Sequence, residues 1–260
     1  MDQVPALTDP SEVMVLQDLY KSLNQPPQLV GWNLMSGADP CKESWKGISC
    51  SGSSVVSIQL SGLDLNGSLG GNLGGLLNLK QLDVSHNQIE GEIPSSLPPN
   101  AAHIDLSFNK FNQNTTLLLK PMEYLEHLNL SHNSLSGTIG DVFSGFPNLK
   151  RMDLSCNRLE GDLPSSFKNL TNLNELFSHI NMLTGSVDVL AHLPLHVLNI
   201  QSNYFGGVVP DQIKDIPDRR LEFNRFYSPY LRRKRRNGRH QSPCFSSCTH
   251  EGEMVPSLDN

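Results

Sequence analysis

Along most of the chain the apolar residues fall into a short pattern that keeps returning. In residues 125–137 the apolar positions are Leu125, Leu128, Leu130 and Leu135, with Asn133 between the last two and Gly137 at the close. The Leu128/Leu130 alternation has the two-residue period of a strand, so both side chains point to one face. Asn133 stands where the chain must turn, and its amide can satisfy backbone groups that the turn leaves unpaired. Such a unit cannot bury its apolar face alone and needs copies of itself on either side.

The copies are present. The first apolar position recurs at Val55, Leu79, Ala101, Leu125, Leu149, Leu173 and Leu195, in steps of 24, 22, 24, 24, 24 and 22 residues. The strand pairs are Ile58/Leu60, Leu82/Val84, Ile104/Leu106, Leu128/Leu130, Met152/Leu154, Leu176/Ser178 and Leu198/Ile200. Asparagine recurs at 87, 109, 133, 157, 181 and 203, with Leu63 in the first unit. This period predicts a leucine-rich-repeat solenoid of α/β type, a right-handed curved coil with a short parallel β-sheet on its concave face. The predicted units are an amino-terminal cap over residues 1–54, seven repeats over 55–216 and a disordered basic tail over 217–260.

A solenoid end exposes an open core and needs a cover. Asp9, Pro10 and Glu12 read as a helix start with capping-box spacing, and Val13, Leu16, Leu19 and Leu23 then form one apolar stripe. Trp32 and Trp45 can complete the cover. Cys41 and Cys50 are near enough to close a disulfide loop, which is favoured over a metal site because two cysteines are too few ligands for structural zinc. A disulfide implies an oxidising compartment, although the opening Met-Asp-Gln-Val-Pro does not read as a secretory signal.

Five strings add a family resemblance. They are Gly37-Ala38-Asp39-Pro40-Cys41, Ser44-Trp45-Lys46-Gly47-Ile48, Val55-Val56-Ser57-Ile58, Leu97-Pro98-Pro99-Asn100 and Gly185-Ser186-Val187-Asp188-Val189-Leu190. Over about residues 7–216 the chain resembles the ectodomains of plant leucine-rich-repeat receptor-like kinases, within them the Strubbelig-receptor family. The resemblance implies an extracellular sensor at the plasma membrane that binds a protein or peptide ligand, with a co-receptor ectodomain as a further partner. It also implies a membrane helix and a kinase-like domain, neither of which is among these 260 residues. The competing readings are a secreted inhibitor or scaffold of the same repeat class and an intracellular scaffold.

Charge divides the chain. Residues 1–218 hold 11 Lys+Arg against 22 Asp+Glu, and residues 219–260 hold 9 against 4. An acidic repeat body argues against nucleic acid as its partner. Between the leucines, the outward side chains line the concave face that solenoids use for binding. Its rows of Asp (83, 105, 153), Asn129 and Ser (85, 107, 131, 155) read as structural ladders. His103, His127, His132 and His179 are less generic and are candidate partner contacts, able to make the face less negative on protonation. In the sixth repeat Ser178 takes the inward slot: either the strand slips by one residue and puts Phe177 inside, or the frame holds and Phe177 and Ile180 form an exposed apolar spot that is a candidate partner contact.

Four Asn-x-Ser/Thr sequons, at Asn66, Asn114, Asn129 and Asn169, are candidate glycosylation sites. Cys156 reads as a sheltered free thiol. The chain shows no metal-ligand run, phosphate loop or nucleophile elbow, so neither catalysis nor a cofactor is expected.

Overall fold

The computed structural model describes residues 7–113, 117 and 119–227. Helix α1 (Pro10–Ser22) opens the cap, and Asp9 accepts from the Ser11 N–H at its amino end. Glu12 does not close the predicted capping box. It is buried, where Oε2 accepts from the Val55 N–H at 2.6 Å and Oε1 from Asn78 Nδ2 at 3.1 Å. The residue therefore ties the helix to the first two coils instead of to its own end. Trp32 packs at a tilt on Trp45 at 5.1 Å and on Tyr20 at 6.0 Å, and Cys41 is bridged to Cys50.

Strands β1 (Ile48–Ser51) and β2 (Ser54–Gln59) pair antiparallel as a hairpin. The chain then adds one parallel strand per coil: β3 (Gln81–Asp83), β4 (His103–Asp105), β5 (His127–Asn129), β6 (Arg151–Asp153), β7 (Glu175–Phe177), β8 (Val197–Asn199) and β9 (Asp218–Arg220). Among the described residues these nine form one sheet in sequence order. The centre of each strand packs inward, so Ile58, Leu82, Ile104, Leu128, Met152, Leu176 and Leu198 form one continuous buried row. A second buried row runs through Leu60, Val84, Leu106, Leu130, Leu154, Ser178 and Ile200. The back is built from short turns, such as Phe143–Gly145 and Ser165–Asn169, where Phe143 meets Phe167 edge-on at 4.8 Å.

The recurrent asparagines bond the turn backbone, as their position predicts, and stack into a ladder. Asn157 Nδ2 donates to the Leu154 and Ser155 carbonyls of its own coil and to Leu130 O of the coil before, and its Oδ1 accepts from the Leu135 N–H. Buried backbone groups at each turn thus find partners. The residue before each rung takes a left-handed backbone: His86, Phe108, His132, Cys156, Ile180, Ser202 and Phe223 all have φ between 51° and 57°.

The predicted end of the repeats at residue 216 is too early. Strand β9 pairs with β8 in register, and Asn224 adds a further rung, donating to Ile200 O at 2.9 Å and accepting from the Phe205 N–H at 3.0 Å. The leucine pattern does not reveal this coil because the register position of the inward row holds Arg219, exposed and bonded through its guanidinium to Ile216 O, in place of a leucine. The remainder of the predicted tail, from residue 228, lies outside the described residues. Cys156 is buried and disulfide-bonded, so the expectation of a free thiol fails.

Candidate functional site

The first and third residues of each strand point out of the concave sheet, because side chains alternate along a strand. Register stacks them into two rows. One reads Gln81, His103, His127, Arg151 and Glu175, and the other Asp83, Asp105, Asn129, Asp153 and Phe177. Between them, over β3 to β6, lies a shallow polar depression of about 300 Å³ lined by Gln81, Asp83, His103, Asp105, His127, Asn129 and Arg151.

The second row is engaged in its own turns. Oδ1 of Asp83, Asp105, Asn129 and Asp153 each accepts from the backbone N–H and hydroxyl of the serine two residues on. Burial pushes the Asp153 carboxyl up, against the pull of its Ser155 hydrogen bonds. Asn129 Nδ2 also donates to Asp105 Oδ2 at 3.1 Å. Asn129 is half-buried on the sheet face. Asn66 and Asn169 are exposed, and Asn114 lies outside the described residues.

The first row faces the depression. His103 and His127 are register partners on β4 and β5, their rings stacked at 4.5 Å with planes 17° apart. Burial, and then the neighbouring His103, holds His127 below the ordinary histidine value. Glu126 precedes His127 and pairs with Lys150 at 2.8 Å, a contact that keeps its carboxyl below the usual range. One ligand atom from each of His103, Glu126 and His127 lies within 4.8 Å of the others. No spacing along the chain could show this trio, because its members come from adjacent coils.

The remaining candidates are not brought into this group. His132 sits on the rim, where the left-handed turn carries it onto the Phe108 ring at 3.9 Å, with His86 on the other side of Phe108 at 4.3 Å. His179 is held down to about 4 by burial, then by His132 and Arg220, so it stays neutral through the mildly acidic range and drops out of the protonation idea. The expected apolar spot does not form. The strand keeps its register, with Leu176 and Ser178 inward. Ile180 is only 9% exposed because it takes the left-handed position before rung Asn181. Phe177 is half-buried, with the Arg151 guanidinium 4.8 Å over its ring. Arg151, which also pairs with Glu175, lines the depression and is a residue that the sequence reading missed. Its position, 24 residues beyond His127 in the same outward row, was the available signal.

Comparison with known proteins agrees with this architecture. A family model described as leucine rich repeat matches residues 99–159 and 123–183, a second repeat model matches 78–100, and a leucine rich repeat N-terminal domain matches 9–51. Protein STRUBBELIG-RECEPTOR FAMILY 2 of Arabidopsis thaliana is 56% identical over 220 residues, 85% of this chain and 30% of the relative. This chain thus spans less than a third of that protein's length. The crystal structure of PEPR1-AtPEP1 superposes with a TM-score of 0.75 at 29% identity, over 83% of this chain and 32% of that one. The Arabidopsis receptor kinase HAESA in complex with the peptide hormone IDA and the co-receptor SERK1 superposes with a TM-score of 0.61 at 28% identity, over 84% of this chain and 42% of that one. By cap, repeats and sequence, this chain belongs to the leucine-rich-repeat ectodomains of plant receptors, where it is similar to the Strubbelig-receptor family.

Proposed function

We propose that this chain is the extracellular sensing region of a Strubbelig-type cell-surface receptor, and that its concave face over β3 to β6 holds a protein or peptide ligand or a co-receptor ectodomain. The observation that carries the reading is the outward row Gln81, His103, His127 and Arg151 above the depression. These side chains lie apart from the buried spine and the asparagine rungs that define the coil. An imidazole pair beside a guanidinium offers donors for a partner's carbonyls and carboxylates. The HAESA complex, with its peptide and its co-receptor, supports a partner of this class. Glycans, on this reading, sit at Asn66 and Asn169, away from the depression.

The test is a binding screen of the purified chain against plant receptor ectodomains and secreted peptides. A partner should emerge whose affinity falls about tenfold or more with Arg151→Glu, while circular dichroism shows the fold retained. A partner that binds the variant as tightly as the parent would move the contact surface elsewhere and sink the assignment of this face.

A further inference from the structure

We propose that His103, Glu126 and His127 form a binding site for a divalent transition-metal ion of the zinc class. The site does not depend on what else the concave face binds. It is built by the register of the sheet: pairing of β4 with β5 places the two imidazoles side by side, and Glu126 comes from the residue before β5. Their ligand atoms all lie within 4.8 Å of one another. A tetrahedral ion with bonds of about 2 Å holds its donors roughly 3.3 Å apart, so one imidazole must turn out of the 17° stack for the two in-plane lone pairs to converge on the ion. His103 is exposed and has room for that rotation.

The donor set selects the ion. Two imidazole nitrogens and one carboxylate oxygen suit zinc, copper or nickel, whereas calcium and magnesium require all-oxygen cages. Three protein ligands leave a fourth position open toward the depression, for water or for a donor from a partner. Opposing cations are close: Lys150 holds Glu126 Oε2 at 2.8 Å, and Arg151 is the register partner of His127. Glu126 Oε1 remains for the metal. The nearby positive charge sets the affinity below that of a closed structural site.

Zinc titration of the purified chain against a chromophoric chelator tests the proposal. The expected result is one ion per chain, undisturbed by excess magnesium or calcium. His103→Gln, Glu126→Gln and His127→Gln should each weaken binding about tenfold or more, since losing a ligand costs at least what losing a supporting contact costs. His192→Gln, which changes an exposed histidine elsewhere, should leave it unchanged. Circular dichroism of each variant checks the fold, which these outward side chains do not support. No saturable zinc binding, the parent affinity in His127→Gln, or an equal loss in His192→Gln would overturn the site.

Discussion

The coils of β3 to β6 and those of β7 to β9 share one backbone but differ in what closes their turns. In the first group an Asp or Asn and the serine two residues on lock each strand end. In the second group the same two places hold Phe177 and His179, then Asn199 and Gln201, then Arg220 and Glu222. Among the described residues, what survives of the lock there is a 3.3 Å contact from the Gln201 N–H to Asn199. The buried rows continue through β7 and β8, where the strand lock is lost, so the lock is an accessory. The spine and the asparagine rungs define the coil, and the outward positions are left to vary in charge from acidic to basic.

Matched substitutions sharpen that contrast. The largest difference is expected at the second inward slot. Leu154→Ala should cost about 3 kcal/mol through the cavity it opens, while Ser178→Ala, in the equivalent slot, should cost nothing, because the Ser178 hydroxyl is buried without a partner among the described residues. Urea unfolding of the two variants would show it, and equal costs would mean that the later coils carry as much of the spine as the earlier ones. A smaller gap is expected between rungs. Asn157→Ala removes a buried amide and orphans the Leu135 N–H, costing about 2–3 kcal/mol, whereas Asn224→Ala acts at a half-exposed coil and should cost about 1 kcal/mol.

The smallest effect concerns pH. His179 has its folded value lowered to about 4. As pH falls from about 6.5 toward 4, the unfolded chain takes up a proton that the folded chain refuses, so stability declines in that window. Burial is partial, and the loss should be about 2 kcal/mol at most. His179→Gln should flatten this part of the stability–pH curve, and an unchanged slope would assign the acid sensitivity to other groups.

Much of this was legible in the chain because a solenoid repeats its instructions. Leucine spacing set the strands and the inward rows, and the recurrent asparagine set the rungs. What escaped the sequence lies where one coil meets another. Glu12 has capping-box spacing, and only the packing of the cap against Val55 and Asn78 shows its other use. Arg219 conceals a strand because its position in the register of the inward row is not apolar. Ile180 looked outward by alternation, but the alternation ends at the left-handed turn, which sets its side chain against the body. The His103, Glu126 and His127 cluster depends on a register between coils that neither coil spells out alone.

The asparagine rungs also give the array a direction. Each side-chain amide reaches back, so every coil is finished by the one that follows it, as a course of masonry is fixed by the course laid on top. A nascent chain emerging amino end first would therefore always carry a single unfinished layer, at its growing edge, with everything beneath already set. The order of synthesis and the order of completion coincide.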